Sequence, residues 1–507
     1  MSGIAAVFGK PNGTSPIEAM LKRMRHRGKD KSGVFQYQQA LLGQNYFRAD
    51  LGESVTGEVP VFLEGDPNLR ICYDGQIGNW AKLARQHGVA DGPFREERLL
   101  LDLFITYGAQ MLDYLNDAVF AFVISDGRQL FAARDLLGIK TLFYGKTTNT
   151  FYFSSELKGL SQIDVDPIEF PPGHYLTEDG ELVAYNRLAK AFPNLALTSP
   201  PEEIADKIGN LIRQSIRQRI DFQVPTACLL SGGLDSSVIA YEGSELYREK
   251  YGDSAQLETF AFGVGESEDI INARVMAKHL NTAHHELIVG LEQILEVLPE
   301  VIYYLESFDP SLVRSAVSNY LISRYAREEG YEILLSGEGG DEAFCGYTYF
   351  KQFSGQELYH EQVRCLGFIH NNASLRLDRM NMCNSIKVVA PLASGELLSY
   401  ALGIPAEYKI RMENGTKIEK WIFRKAYEGK LPDEIVWRVK QEFSQGSGSA
   451  GLLPDYFEKT VDEREFTEAQ KKYAFLRSKE EWHYFRIFKE HYGDGAAVDT
   501  VGQWVGL

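Results

Sequence analysis

CLLSGGLDSSV, residues Cys228–Val238, decides how the second half of this 507-residue chain is read. An apolar run ends at Leu230. Ser231, Gly232, Gly233, Leu234, Asp235, Ser236 and Ser237 follow, and a helical pattern begins. Glycines let backbone amides approach a phosphate, and a helix N-terminus adds unpaired N–H donors and a favourable dipole. The hydroxyls of Ser231, Ser236 and Ser237 add further donors. The Walker pattern GxxxxGK[ST] is absent, so no lysine of this loop is expected on a γ-phosphate. A ligand-free glycine turn is the bland alternative. The concentration of hydroxyls, glycines and an acid within seven residues argues against it.

A second stretch repeats the design. YEILLSGEGGDEAFCGY, Tyr331–Tyr347, runs from a buried strand into Ser336, Gly337, Glu338, Gly339, Gly340, Asp341 and Glu342. Two strand-end loops in one parallel sheet open on the same carboxyl edge, where ligands bind. Asp235 and Asp341 are therefore candidates to share a Mg²⁺ that bridges a triphosphate, since hard oxygen ligands suit that ion. A third stretch, VWRVKQEFSQGSG, sets Lys440 before the polar loop SQGSGSAG at 444–451. An ammonium brought over a phosphoryl or acyl centre on loop closure would stabilise developing negative charge. Taken alone, Lys440 reads more readily as a solvated lysine.

Working outward, the strands VPTACLL, LETFAFG and YEILL alternate with helical segments, which implies an α/β domain with a mostly parallel sheet. Beyond about residue 345 the pattern is mainly helical. Upstream, residues 1–190 carry short apolar or alternating runs (GIAAVFG, LRICYDG, AVFAFVISD, LFAARD, FYFSSE) punctuated by turns, with one helical stretch, REERLLLDLFITYG. A boundary falls near NLALTSPPEE, with Ser199 expected as the N-cap of a helix carrying Ile204, Ile208, Leu211, Ile212 and Ile216. The expected domains are 1–195 and 196–507.

The net charge of −17 disfavours nucleic acid or an anionic membrane as the main partner. Five scattered cysteines without a CxxC pair suit a reducing compartment. No signal-peptide pattern and no bilayer-length apolar run is present, so a cytoplasmic location is expected. The opening MSGIAAVFG is a strand. With Met1 removed, Ser2 would set an amine and a hydroxyl at its head, an arrangement suited to a nucleophile activated by its own amine.

SGGLDSS, SGEGGDE and VKQEFSQG, in this order behind a strand-rich first half, resemble glutamine-dependent asparagine synthetases. The resemblance covers nearly the whole chain and includes MRHRGKD, RDLLGIKTLFY, FSSELKGL and FPPGHYL in the first half. HHEL, FDPSLVR and RSKEEWHYFRIFKEHY extend it through the second. It implies an α+β N-terminal nucleophile (Ntn) hydrolase-like αββα sandwich, followed by an α/β PP-loop (HUP) adenine-nucleotide domain. It implies ATP and Mg²⁺, adenylation of a carboxylate with release of pyrophosphate, and attack of ammonia on the acyl-adenylate. Leu230, Ser231, Gly232, Gly233, Asp235, Ser236, Ser237, Phe262, Ser336 and Gly337 would bind the nucleotide. Asp235 and Asp341 would bind metal, Glu338 would take a proton from ammonia, Lys440 would stabilise adenylation, and Arg314 would lie near the acyl intermediate.

The first half departs from that family. Ser2 stands where it has cysteine, Asp74-Gly75-Gln76 where it has Asn-Gly-Glu, and Glu96 where it has the aspartate that receives the glutamine α-amine. Arg48, the grip for the glutamine carboxylate, is retained. A carboxylate at position 74 would oppose a forming oxyanion, so an inactive glutaminase is expected, with a serine amidase of altered substrate as the alternative. Nitrogen would then come from ammonia, a separate glutaminase, or an amine on the substrate, as in β-lactam synthetases and lasso-peptide cyclases, which resemble this family. Val389-Ala390-Pro391-Leu392-Ala393-Ser394 replaces the family's Arg-Val-Pro-Phe-Leu-Asp, so the acceptor pocket is altered, with Lys387 a candidate substitute. The expectation is an asparagine synthetase-like ligase acting on aspartate or a related carboxylate. The alternatives are a specialised amide, lactam or peptide-bond synthetase and a non-catalytic nucleotide-binding relative. A homodimer remains an open option. The basic LKRMRHRGKDK and the pair His284–His285 are expected to be structural, with Lys29 in place of a family proline.

Overall fold

A computed structural model describes residues 2–10, 14–47, 57–185, 197–440, 446–448 and 451–503. Arg48 and the boundary at 195/196 lie outside the described residues, as do residues 444, 445, 449 and 450 of the 444–451 loop.

Among the described residues of the first half, two six-stranded sheets stack face to face. Strand Ser2–Phe8 alternates as its period of two requires. Ile4, Ala6 and Phe8 meet Cys72, Ala121, Val123 and Ala132 of the second sheet. Ala5 and Val7 point the other way, onto Ile17 and Leu21 of helix Ser15–Arg23. The second sheet's outer face is covered by helix Arg95–Tyr107, whose Leu99, Leu100 and Leu103 pack on Ile71, Phe120 and Phe122. Helix, sheet, sheet and helix make the αββα sandwich.

The second half is built on a five-stranded, wholly parallel sheet of Thr226–Leu229, Glu258–Val264, Ala283–Val289, Ile333–Leu335 and Lys387–Val389. Numbered along the chain, their order is 3-2-1-4-5. Thr226–Leu229 and Ile333–Leu335, the strands that feed the two glycine loops, are neighbours at the point where the order reverses. A crevice opens at such a switch point, because consecutive connections depart to opposite sides. Strand Ala283–Val289 was not foreseen. Its HHE core breaks apolar alternation, and His285 is instead stacked on Phe260 with centroids 4.6 Å apart and bonded to Glu258 at 2.6 Å.

The helix expected from Ser199 starts at Pro201, with Pro200 as N-cap in extended conformation. The correction follows from proline itself: its fixed φ and missing N–H suit the first helical turn, so the chain enters the helix one residue later. Ile204, Ile208, Leu211, Ile212 and Ile216 are all buried as expected, each contributing about 1.5–3 kcal/mol. Helix Lys479–Tyr492 packs on the core through Tyr484, Phe485 and Phe488. No helix among the described residues is long and apolar enough to cross a membrane.

Candidate active site

The two glycine loops touch. Gly232 sits at φ +69°, and a Cβ there would meet the backbone carbon of Asn272 at 2.4 Å, so only glycine fits. A Cβ on Gly337 would fall 2.6 Å from the Asp235 carbonyl carbon and the Ser236 amide nitrogen, and one on Gly340 would fall 2.4 Å from Asp235 Oδ1. Gly337 and Gly340 let the second loop lie directly on the first. Within the first loop, the Ser231 and Ser236 hydroxyls lie 3.0 Å apart, and Ser236 Oγ accepts from the Ser231 amide at 3.1 Å. Ser237 is fully buried beneath the loop.

Asp235 and Asp341 come together as expected, and a residue the sequence did not single out joins them. Lys420 Nζ donates to Asp235 Oδ1 at 2.7 Å and Oδ2 at 2.5 Å, and lies 2.6 Å from Asp341 Oδ1. Lys440 Nζ donates to Asp341 Oδ2 at 2.6 Å. Burial would raise the Asp341 carboxyl, but Lys420 and Lys440 hold it well below the usual carboxylate range. Burial also works against the Lys440 charge, and Asp341 with Asp235 nonetheless pushes its ammonium above the ordinary lysine range. Lys420 adopts a left-handed φ of +55°, a conformation of cost that clusters at functional sites.

Glu338 faces the same crevice. Burial raises its carboxyl, opposed by Arg376, whose Nη2 donates to Oε1 at 2.9 Å and Oε2 at 2.8 Å. Burial pushes Glu342 up to about 7, helped by Asp341 and Glu338, while Tyr347 donates to its Oε1 at 2.7 Å. Leu230, Phe260, Phe262, Ser336, Ser311 and Ser315 complete the walls. Asp269 guards the rim, raised by burial to about 6 beside Arg438.

Two expected residues lie elsewhere. The crevice face of helix Pro310–Glu328 is Ser311, Ser315 and Asn319; Arg314 is bonded to Glu480 through Nε at 3.0 Å and Nη2 at 2.9 Å. Lys387 opens its strand, at the amino edge of the sheet, and lines the other cavity with Ser2. It is absent from the walls of the crevice at the carboxyl edge, which corrects its expected role as a substitute in the acceptor pocket. Leu392 and Ala393, from the altered segment, lie against Gly339 and Gly340.

Two carboxylates are what Mg²⁺ commonly takes from protein when phosphate oxygens and water supply the rest. The pair sharing one ammonium has the spacing for a shared cation, and a cradle closed to any Cβ sits beside it. The residues present therefore fit Mg²⁺ with a nucleotide.

In the first half, Ser2 borders a cavity with Tyr46, Tyr73, Gln76, Trp80 and Glu96. Glu96 accepts from the Tyr73 hydroxyl at 2.6 Å and the Ile77 amide at 3.2 Å. Asp74 is fully buried. Its Oδ1 accepts from the Ser2 backbone nitrogen at 2.9 Å, and its Oδ2 is paired with Arg27 at 2.7 Å. Lys140 lies 3.7 Å away. Cys72 offers no replacement nucleophile, since it points into the sheet interface and burial raises its thiol far above the usual range.

The asparagine synthase family model matches residues 207–364 and 352–497, and the glutamine amidotransferase domain model matches 1–170. A glutamine-hydrolysing asparagine synthetase of Gallus gallus is 32% identical, over 97% of this chain and 94% of its own length. An Arabidopsis thaliana enzyme of the same name is 31% identical, over 99% and 89%. A B. subtilis glutamine phosphoribosylpyrophosphate amidotransferase structure with ADP and GMP covers 56% of this chain and 81% of its own, at 14% identity and a TM-score of 0.33.

Proposed function

The chain belongs to the asparagine synthetase family and is an ATP-dependent, C–N bond-forming ligase of the amidotransferase type; on that premise we propose that it amidates a carboxylate with free ammonia or an amine, and that its first half no longer hydrolyses glutamine. The observation that carries the synthetase reading is the Asp235–Lys420–Asp341 bridge at the sheet's switch point, with Lys440 and Glu338 facing it. Backbone amides of the first loop and the hydroxyls of Ser231 and Ser236, which line the crevice, would hold the triphosphate. A bound Mg²⁺ supplies neutralisation of phosphate charge at Asp235 and Asp341. Lys440 faces the charge that develops as pyrophosphate leaves. Glu338, with its proton affinity raised, accepts a proton from the attacking nitrogen.

The Asp74 contacts support the loss of glutamine hydrolysis. A carboxylate 2.9 Å from the Ser2 nitrogen would hold a free α-amine as the ammonium, removing the only base an N-terminal serine has. The same carboxylate would repel an oxyanion.

A second reading, a carboxylate other than aspartate, is favoured by one observation. The segment from Val389 to Ala393 carries no charged side chain, and its Leu392 and Ala393 pack against Gly339 and Gly340 of the second loop, so the segment offers a zwitterionic acceptor no charged partner.

The test is isotope transfer. Product formed from labelled ammonium, and not from amide-labelled glutamine, is the expected result. Ser2→Cys should not restore transfer from glutamine, because Asp74 and Glu96 remain. Robust transfer from glutamine in either protein would overturn the inactive-glutaminase reading.

A further inference from the structure

Helix Ala373–Met382 is buried along its whole length, yet it carries Arg376, Asp378 and Arg379. Their partners lie on opposite sides. Arg376 holds Glu338 of the synthetase crevice and, through Nη1, Asn319 at 2.5 Å. Asp378 bonds to two groups of the first half: Arg27 Nη1 at 2.7 Å and Lys140 Nζ at 2.8 Å. Arg379 meets Glu156 of the first half at 2.8 Å and Glu306 at 2.8 Å. Arg27 in turn holds Asp74 and, through Nε, the Ser2 carbonyl at 3.2 Å. Lys158 Nζ joins Glu156 at 2.6 Å and Glu306 at 2.8 Å, so Arg27, Lys140, Lys158 and Arg379 face Asp74, Glu156, Glu306 and Asp378 in a closed layer with almost no solvent exposure.

Such a layer is a poor source of stability, because desolvation offsets most of the attraction and apolar side chains of similar volume commonly do as well. It does fix geometry. Arg376 and Asp378 are two residues apart, about 3 Å along the helix axis. A shift at the first-half side is therefore transmitted to the guanidinium that orients Glu338.

Resting on the synthetase reading above, we propose that the first half is a positioning domain: Asp74, Arg27 and Lys140 lock Asp378, and the helix Ala373–Met382 carries that lock to Arg376, which orients the Glu338 carboxylate toward the incoming nitrogen. Arg376 and Asp378 are positioning residues. Asp74, which has lost the oxyanion role of its family counterpart, serves the distant site.

The test uses the full chain with Asp74→Asn, Asp378→Asn, Arg376→Met and Arg376→Lys, and three readouts. ATP–pyrophosphate exchange reports adenylation, which does not need Glu338; amide formation does need it; and hydrogen–deuterium exchange over residues 336–342 reports how firmly the Glu338 loop is held. Asp74→Asn and Asp378→Asn should lower kcat for amide formation about 10-fold, and Arg376→Met about 100-fold, while pyrophosphate exchange stays within about twofold. Arg376→Lys should recover part of the loss, and loop protection should fall in all the impaired variants. A parallel fall of exchange and amide formation would mean a merely structural layer and would overturn the proposal, as would folded variants with unchanged amide formation or unchanged loop protection. A wild type without pyrophosphate exchange on any carboxylate overturns the synthetase reading instead, and loop protection in Asp74→Asn still decides the positioning claim.

Discussion

Replacing Lys420 with methionine should make the stability of the folded site depend on bound metal. The Lys420 ammonium is 2% exposed and stands between two carboxylates at 2.5–2.7 Å. Each contact is worth about 6 kcal/mol of gross attraction at an effective dielectric of about 20, before desolvation is subtracted. Removing one member of such a cluster typically costs about 3–5 kcal/mol net, because Asp235 and Asp341 then confront each other across the gap. For a domain of this size that lowers Tm by roughly 5–10 °C. The sign with pH follows from Asp341, whose carboxyl Lys420 helps to hold below its ordinary range. A depressed carboxyl adds stability that is present above its unfolded value of about 3.9 and is lost as pH falls. The variant's deficit should therefore be full near neutrality and shrink below about pH 4. Mg²⁺ can take the vacated position. At about 100 times its Kd it would return about 2.7 kcal/mol to the variant, but much less to the wild type, where the ammonium competes for the same oxygens. Thermal unfolding by calorimetry, with and without millimolar Mg²⁺, reads both effects. Equal Mg²⁺ shifts in the two proteins, or a variant as stable as wild type without metal, would refute the shared-cation geometry.

Gly337→Ala should leave the fold intact and abolish pyrophosphate exchange, since its Cβ would lie 2.6 Å from the Asp235 and Ser236 backbone and force the loops apart; exchange kinetics beside a circular dichroism melt check this. Glu342→Gln should stabilise the protein at alkaline pH. Burial raises the wild-type carboxyl from 4.5 to about 7, so the native state loses stability as pH climbs through that value. The variant should gain up to about 3 kcal/mol by about pH 8 and nothing below about pH 4, read by denaturant titration at several pH values.

The two glycine loops were legible in the sequence because their chemistry is local. Ser231–Ser237 and Ser336–Glu342 pack glycines, hydroxyls and acids into single turns, and the structure shows what Gly232, Gly337 and Gly340 are needed for. Lys420 and Arg376 were not legible. Neither sits in a distinctive run, and each reaches the site only through tertiary placement, Lys420 from a left-handed residue ahead of helix Trp421–Tyr427 and Arg376 from a buried helix. The one local hint was the density of charge in LRLDR, residues 375–379, within an otherwise apolar helix. Lys387 was misplaced because sequence order does not reveal which edge of a three-residue strand a side chain occupies. The stretch holding Arg27 was read as structural, but the buried pairing of Arg27 with Asp74 and Asp378, the latter across 351 positions of sequence, is invisible without the fold.

Pyrophosphate exchange into ATP, screened across amino-acid and other carboxylates with Mg²⁺ present, tests the ligase assignment most directly. Exchange that depends on one carboxylate, requires Mg²⁺ and disappears in Asp235→Asn and Asp341→Asn is the expected result. Exchange absent with every carboxylate, or undiminished when both aspartates are neutralised, would contradict it.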